Sequence, residues 1–258
     1  MRPETAAAEA AADAAGAVIR QYFRSRFDVE TKHDKSPVTR ADHGAETAIR
    51  DVLRTHFPDH AIIGEELGGV AAGRFVWIID PIDGTRAFIT GRPIFTTLIA
   101  LLDHGVPVLG LIDQPISGER WLASNGTLRF NGPGHTSVVR TRHIGALAEA
   151  ELSCTSPDMF DAPQQQRFRN LAARCRRTTY GGDAYAYGLL ALGFIDVIAE
   201  ADMKPWDWAA LIPIIEAAGG NITDWQGSPL KFGGDGSVLA LGNPMLLGSA
   251  VAALAPMG

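Results

Sequence analysis

The pattern of apolar and polar positions predicts helices at the beginning of the chain. The N-terminal segment is rich in alanine, the strongest helix former, and Val18, Ile19 and Phe23 lie at helical spacing within it. Residues 42–56 repeat this spacing, and Pro58 ends the second helix because proline cannot continue one. We therefore expect two amphipathic helices before the first strand.

Short apolar runs bounded by turn residues predict strands in the rest of the first half. Two of these runs end in acidic residues, and the others are joined in pairs by turns at DHGVP and NGT. The predicted strands lie in the segments AIIGEE, RFVWIID, IFTTLIALLDHGVPVLGLIDQP and ERWLASNGTLRFNGPG.

Helical and extended patterns alternate after about residue 145. The segment WDWAALIPIIEAAGG predicts one long helix that ends at Gly219 and Gly220, where a left-handed cap is favoured. The other predicted elements are strands in ELSCTS, FIDVIAEA, NITDWQG and SVLALG, and helices in PQQQRFRNLAARC, AYAYGLLALG and PMLLGSAVAAL. The pattern predicts an α+β half at residues 1–144 and an α/β half at 145–258, joined in one layered body.

Composition and charge narrow the possible functions. The 258 residues are 46% hydrophobic and 20% charged, which is ordinary for a globular protein. A formal net charge of −6 argues against general affinity for nucleic acid or for an anionic membrane. A phosphorylated substrate would therefore need a local positive charge, such as a metal ion.

Compartment signals favour the cytoplasm. Charged residues interrupt the N-terminal segment, so we expect no signal peptide, and no stretch reaches the roughly 18 apolar residues of a membrane span. Cys154 and Cys175 lack the spacing of a zinc site, and we expect them to be reduced, packed thiols.

The segment WIIDPIDGT concentrates the candidate chemistry. Its apolar run ends at Asp80 and Asp83, and Gly84 and Thr85 then begin a helix. Two carboxylates that converge beside the N–H groups of a helix start suit a cation and a phosphate. Oxygen ligands without His or Cys favour a hard ion, Mg²⁺ above all. The alternative is that Asp80 caps a turn and Asp83 caps the next helix.

Acidic residues also follow or begin other predicted elements. Glu65 and Glu66 end the strand AIIG, and Asp207 opens the helix in WDWAALIPIIEAAGG. Asp207 alone would make an ordinary helix cap. Taken together with Asp80 and Asp83, these residues predict one shared acidic site.

The segments GEE, WIIDPIDGT and WDWAALIPIIEAAGG, in this order and spacing, resemble the signatures of the inositol monophosphatase family. The resemblance runs over most of the chain, and the hexapeptide DPIDGT is highly specific. It implies a layered αβαβα sandwich of the inositol monophosphatase and fructose bisphosphatase type. It also implies a Mg²⁺-dependent, lithium-sensitive phosphatase that binds two or three ions and forms a homodimer.

The resemblance also implies roles for individual residues. The first metal would be held by Glu65, Asp80 and the Ile82 carbonyl, and the second by Asp80, Asp83 and Asp207. Thr85 would pair with Glu65 to orient the attacking water, and the N–H groups of Gly84 and Thr85 would hold phosphate oxygens. Asp42 matches the family's DxVTxxD loop only loosely, because Ser36 and Pro37 replace its first Asp. Its role near a third metal therefore stays open.

Four further segments resemble the histidinol-phosphatase branch of the family: GTRAFITGRPIFTTLIALL, GLIDQP, YGGDAYAYGLLALG and LIPIIEAAGGNITDW. Histidinol phosphate carries an ammonium group and an imidazole that is partly protonated near neutral pH. Asp183 and Glu200, together with Asp207, are the predicted carboxylates for that substrate. The alternatives are a helix cap for Asp183 and a solvated charge at a strand end for Glu200.

Two other functions stay open. The first keeps the chemistry but changes the ester to inositol monophosphate or another sugar phosphate. The second is a regulatory family member that binds RNA or protein, with the arginine-rich segment RFRNLAARCRR as its contact surface. We expect that segment to be a solvated face or a dimer contact instead. We also expect the glycine-rich loop at 64–74 to be mobile until metal binds.

Overall fold

The computed structural model describes residues 3–25, 29–31, 37–133 and 139–256. Helices and strands follow each other in the order that the pattern predicts, with few exceptions. The described residues form two large sheets, one of six strands and one of five. A short antiparallel pair is formed by β1 (Val29–Thr31) and β2 (Pro37–Thr39), which we call the hairpin.

Eight α-helices are formed by the described residues. Two of them precede the first large sheet, one lies between two of its strands, and the remaining five lie among or after the strands of the second half. They are α1 (Pro3–Tyr22), α2 (Arg40–His56), α3 (Thr85–Ile89), α4 (Ala162–Ala172), α5 (Asp183–Ala191), α6 (Pro205–Trp208), α7 (Leu211–Ala217) and α8 (Leu247–Leu254). None of them combines the length and the apolar character that crossing a bilayer would take.

The six-stranded sheet contains every strand of the first half after the hairpin. Its strands lie in chain order, and all neighbours pair antiparallel except the first two, which pair parallel. They are β3 (Ala61–Gly64), β4 (Phe75–Asp83), β5 (Thr96–Asp103), β6 (Val106–Gln114), β7 (Glu119–Ser124) and β8 (Thr127–Asn131).

The five-stranded sheet is mixed and has the order β10-β9-β11-β13-β12. The strand β9 pairs parallel with both of its neighbours, whereas β13 pairs antiparallel with both of its own. The strands are β9 (Glu151–Cys154), β10 (Arg177–Tyr180), β11 (Val197–Glu200), β12 (Asn221–Thr223) and β13 (Val238–Leu241).

Side-chain alternation along the strands separates the core into layers. In β4, Trp77 and Ile79 pack with α1 and α2 on one face of the six-stranded sheet. Val76 and Ile78 pack on the other face, with α5 and α7 and with the five-stranded sheet beyond them. The far face of that second sheet is covered by α4 and α8. The layers therefore follow the order αβαβα, as the family resemblance implies.

The predicted long helix after residue 205 is instead two short helices, α6 and α7, separated by a turn at Ala209 and Ala210. Pro213 has no N–H to donate to the carbonyl oxygen of Ala209, which explains the break. The turn packs against β6, where a methyl group at Gly110 would lie 2.0 Å from the Ala210 oxygen. Glycine at 110 thus lets the sheet approach the helix pair closely.

Three strands were not predicted from the sequence. The strands β1 and β2 lie between α1 and α2, so the expectation of two helices before the first strand is wrong. The edge strand β10 carries mostly exposed polar and charged side chains, so it has no apolar alternation to reveal it. Both cysteines are free thiols, with Cys154 buried and Cys175 half-buried, as predicted. The division into halves at residue 145 stays a proposal about domain organisation.

Candidate active site

A β-bulge at the end of β4 brings Asp80 and Asp83 to the same face of the sheet. Side chains alternate along a strand, so two residues three positions apart normally face opposite ways. Here Asp80 pairs with Leu98 and Asp83 pairs with Thr96, so that β4 has one residue more than β5. The extra residue restores the common direction. The predicted end of this strand at Asp80 is therefore wrong by three residues.

The bulge is held by local hydrogen bonds. The Ile82 N–H donates to Asp80 Oδ1 (3.0 Å), and the Thr97 hydroxyl donates to the Pro81 carbonyl oxygen (2.8 Å). Asp80 is only 1% exposed. The DPIDGT sequence thus builds a rigid strand end rather than a loose loop.

Asp207 joins these two residues from the second half of the chain. It lies in the first turn of α6 and accepts the Lys204 N–H (2.7 Å), so it does cap its own helix. Carboxylate oxygens of Asp80, Asp83 and Asp207 lie within 4.8 Å of one another. The cap and the acidic site are therefore not alternatives, because one carboxylate serves both.

Burial and mutual repulsion raise the pKa values of all three carboxyl groups. Burial is the largest cause for Asp80 and Asp83, whose pKa values lie well above the usual range, and neighbouring carboxyl groups raise them further. Burial likewise raises the pKa of Asp207 to about 7. A hard divalent cation would relieve this repulsion, and an all-oxygen donor set matches the ligands that Mg²⁺ prefers. The residues present thus fit the predicted metal.

Glu65 lies beside this cluster. It directly follows β3, its N–H donates to the Ile79 carbonyl oxygen (3.2 Å), and its carboxyl group is hydrogen-bonded to Asp80. The parallel pairing of β3 with β4 explains this proximity, because both strands end at the same edge of the sheet. Glu65 is thus adjacent to the group of three carboxylates, as predicted.

The Thr85 hydroxyl lies at the start of α3, near two oxygen atoms. Its oxygen lies 3.2 Å from the Ile82 carbonyl oxygen and 3.5 Å from Asp42 Oδ1. Asp42 is in the first turn of α2 and is 1% exposed. Asp42 is therefore a carboxylate within reach of Thr85, and the pairing with Glu65 stays a prediction. Ser36, which replaces the first Asp of the family loop, lies outside the described residues.

Gly84 has a left-handed backbone (φ 85°, ψ 41°) directly before α3. This conformation favours glycine, and the side chain of Asp183 packs against the same position. The N–H groups of Gly84 and Thr85 lie at the start of α3, directly after Asp83 in the chain. Their predicted contact with phosphate is compatible with this position.

Asp183 and Glu200 line a cavity of about 210 Å³ together with Asp83 and Asp207. Asp183 is the first residue of α5 but does not cap it, because Asp83 Oδ2 accepts the Ala184 N–H (2.6 Å) instead. Burial is the main cause that raises the pKa of Asp183 to about 6, and Glu200 adds to it. The helix-cap alternative for Asp183 is therefore wrong.

Glu200 is buried at the end of β11 and is not a solvated charge. Its two carboxylate oxygens accept the Thr155 N–H (2.7 Å) and the Tyr187 hydroxyl (3.0 Å). Burial raises its pKa, and these hydrogen bonds lower it. Sequence reasoning missed Thr155 and Tyr187. The position of Thr155 directly after a strand was the available signal, since strand ends carry the other site residues.

The arginine-rich segment is partly engaged within the chain. Arg167 donates to the Leu254 carbonyl oxygen (2.5 Å) and stacks 4.9 Å from the ring centre of Trp225, and Arg177 pairs with Glu151. These contacts disfavour the interpretation of the segment as a continuous free basic face.

Comparison with known proteins identifies relatives over nearly the whole chain. A model of the inositol monophosphatase family matches residues 1–255. The bifunctional phosphatase IMPL2, chloroplastic, of Arabidopsis thaliana is 46% identical over 239 residues, which are 91% of this chain and 68% of that protein. A histidinol-phosphatase of Chlorobaculum parvum is 37% identical over 244 residues, which are 93% of each protein.

The fold has close structural relatives as well. The structure of an inositol monophosphatase from Zymomonas mobilis has a TM-score of 0.88 and 44% sequence identity, and the match covers 97% of each chain. Relatives of this chain are thus named as phosphatases of different substrates.

Proposed function

Because the chain belongs to the inositol monophosphatase family of phosphatases, we propose that it hydrolyses histidinol phosphate to histidinol and phosphate, a step of histidine biosynthesis. The observation that carries the proposal is that Asp183 and Glu200 line the same cavity as the metal-cluster residues Asp83 and Asp207. Carboxylates beyond the metal cluster suit a substrate whose alcohol part is cationic. The similarity to a histidinol-phosphatase supports the same substrate.

The acidic cluster is the proposed site of two or three Mg²⁺ ions. Glu65, Asp80 and the Ile82 carbonyl would hold the first ion, and Asp80, Asp83 and Asp207 would hold the second. When bound, the ions would neutralise the phosphate group and make water a better nucleophile. This assignment is supported by the mutual proximity of the three aspartates and by their raised pKa values.

Thr85 is the proposed residue that orients the attacking water. Its hydroxyl can donate a hydrogen bond to a carboxylate and accept one from water at the same time. Asp42 is the neighbouring carboxylate in the structure, and Glu65 is the partner that the resemblance implies. The N–H groups of Gly84 and Thr85 would hold phosphate oxygens at the start of α3.

The cationic part of the substrate would lie between Asp183 and Glu200. Glu200 is pre-organised for this role, because Thr155 and Tyr187 fix both of its oxygens. Asp183 sits directly against Gly84, so that the carboxylate lies next to the proposed phosphate-binding N–H groups. A short amino alcohol phosphate would fit this arrangement, with its ammonium group paired to a carboxylate and its phosphate at the metal site.

Histidinol phosphate can be tested against the alternative esters in one assay. Phosphate release would be measured with histidinol phosphate, inositol 1-phosphate and a 3′-nucleotide bisphosphate at saturating Mg²⁺. We expect kcat/KM for histidinol phosphate to exceed the other two by at least about 30-fold, since loss of a buried charge pair costs roughly 2–5 kcal/mol. A higher value for inositol 1-phosphate would transfer the assignment to an inositol monophosphatase, which the Zymomonas mobilis relative supports.

A regulatory role in RNA or protein binding is the second alternative. It would be tested by RNA retention at about 0.15 M salt, where nonspecific phosphate contacts weaken steeply. We expect no retention, because the net charge is −6 and arginines of the basic segment are engaged within the chain.

We further propose that the protein acts in the cytoplasm as a homodimer. Free thiols suit a reducing compartment. The dimer follows from the family resemblance alone, and sedimentation of the purified chain would test it.

A further inference from the structure

Glu46 is a buried charge that the proposed chemistry does not use. It lies in α2 one turn after Asp42, and Arg50 lies one turn further along the same helix face. Glu46 is 0% exposed and Arg50 is 6% exposed. Charged residues are almost never buried to this extent unless they are paired and hydrogen-bonded. The groups that Glu46 and Arg50 bind therefore indicate what the two residues do.

The partners of Glu46 are the backbone N–H groups that directly follow Glu65. Its Oε2 accepts the Glu66 N–H (2.8 Å), and its Oε1 accepts the Leu67 N–H (3.1 Å). Arg50 Nε also donates to Oε1, at 2.8 Å. One carboxylate from α2 thus holds the turn that carries a predicted metal ligand.

Arg50 closes the other end of this turn. Its Nη2 donates to the Gly68 carbonyl oxygen (2.5 Å), which also accepts the Gly64 N–H (3.0 Å). Hydrogen bonds that involve charged groups are stronger than neutral ones. These hydrogen bonds hold residues 64–68, which we name the Glu65 turn, and the expected mobility of the loop at 64–74 stays a prediction.

Gly64 permits the close approach of Glu46. A methyl group at residue 64 would lie 2.1 Å from Glu46 Oε1 and 2.4 Å from its Cδ. Both distances are far shorter than van der Waals contact, so any other residue would displace the carboxylate. The glycine of the GEE segment thus has a packing reason that is separate from the chemistry of Glu65.

We propose that Glu46 is a positioning residue that fixes the Glu65 turn, so that the Glu65 carboxyl group already lies beside Asp80 when a cation arrives. A pre-organised ligand loses less conformational entropy on binding than one carried by a free loop. The inference rests on the proposed function to the extent that Glu65 is a metal ligand.

The test is the Glu46→Gln variant, which keeps the side-chain volume. One amide nitrogen then faces a backbone N–H, so one hydrogen bond is replaced by repulsion. Mg²⁺ affinity of the metal-free protein would be measured by titration calorimetry, and amide exchange of Glu66 and Leu67 would be measured without metal. We expect a Mg²⁺ Kd about 10-fold or more above wild type, as for other residues that orient metal ligands. We also expect faster exchange at both amides.

The Asp196→Asn variant is a matched control. Asp196 is also 0% exposed, and it accepts hydrogen bonds from Arg142 (2.9 Å) and from the Glu151 N–H (2.8 Å). It lies next to the five-stranded sheet and does not line the site cavity. We expect a comparable decrease in Tm but no change in Mg²⁺ Kd or in exchange at Glu66 and Leu67.

A second variant, Arg50→Lys, keeps the inference testable if Glu46→Gln does not fold. Lysine retains the charge but cannot donate to Glu46 and Gly68 with the fixed geometry of a guanidinium group. Wild-type Mg²⁺ affinity and exchange in the folded variants, or an equal loss of affinity in Asp196→Asn, would overturn the inference. If the wild-type protein itself bound no Mg²⁺, the proposed function would fail, whereas amide exchange would still decide the role of Glu46.

Discussion

Gly84 and Asp183 are in direct contact, although 98 residues separate them in the sequence. A methyl group at Gly84 would lie 2.8 Å from Asp183 Oδ2 and 2.9 Å from its Cγ. Both residues have a left-handed backbone, with φ 85° and φ 46°. The contact joins the start of α3, where phosphate is proposed to bind, to the start of α5, which carries a carboxylate of the proposed substrate pocket.

The Gly84→Ala variant is expected to lose most activity. Alanine adds backbone strain of about 1–2 kcal/mol at this φ and pushes the Asp183 carboxylate out of its position. We expect kcat/KM to fall by at least about 100-fold, since small misplacements at a site have effects of this size. Steady-state phosphate release would measure it.

Gly105→Ala is the control for backbone strain alone. Gly105 has a similar φ of 80°, and nothing lies within 4 Å of an added methyl group. We expect a similar decrease in Tm with kcat/KM unchanged. If both variants lost activity equally, the contact with Asp183 would not be the cause.

The Asp183→Asn variant is expected to separate cationic from neutral substrates. The amide keeps the shape of the side chain but removes the charge that would pair with an ammonium group. We expect KM for histidinol phosphate to rise at least about 10-fold, given the usual cost of breaking a buried charge pair. KM for a neutral sugar phosphate should change little. Equal losses on both substrates would remove the argument for Asp183.

The partner of Thr85 can be identified by double-mutant cycles. Thr85→Val removes the hydroxyl, and we expect kcat to fall by about 100-fold, as is typical when a proton-transfer group is lost. Because residues in contact give non-additive effects, Asp42→Asn should add little to Thr85→Val. Glu65→Gln should be additive with Thr85→Val. The opposite pattern would favour the pairing that the resemblance implies.

The stability of the metal-free protein should depend on pH through the acidic cluster. The pKa of Asp207 is raised to about 7 from 3.8, so the folded state binds this proton more tightly than the unfolded state does. Its loss therefore destabilises the fold as the pH rises from about 4 towards 7. We expect Tm in EDTA to be higher at pH 5 than at pH 8, and Mg²⁺ to raise Tm more at pH 8.

Asp207→Asn is the control for this pH dependence. The variant removes one titrating group, so the difference in Tm between pH 5 and pH 8 should become smaller. An unchanged difference would show that other groups cause it.

Lithium is expected to inhibit at millimolar concentration, as the family resemblance implies. The measurement is phosphate release at fixed Mg²⁺ with increasing lithium chloride, and sodium chloride serves as the salt control. Activity that lithium leaves unaffected would count against this point alone.

Much of the fold could be predicted from the sequence, because apolar periodicity is a local property. The strands β4, β5 and β6 are long and apolar, and their pattern alone predicted them. The edge strand β10 was missed because its side chains face solvent, and the break between α6 and α7 was missed although Pro213 marks it. A proline is tolerated in the first turn of a helix and can also kink a longer one, so Pro213 is compatible with two short helices or with one long helix.

The candidate site likewise has one part that follows from the sequence and another part that only the tertiary structure decides. The sequence by itself determined which residues carry charge at strand and helix ends: Glu65, Asp80, Asp83 and Asp207. Only the tertiary structure decided that a bulge turns Asp80 and Asp83 to one face, that Thr85 lies by Asp42, and that Glu46 holds the Glu65 turn. The physical reason is that the charge of a side chain depends on the residue itself, and its local backbone preference depends on the residue and its sequence neighbours. Contacts between distant residues depend instead on how whole layers pack, which no short segment specifies.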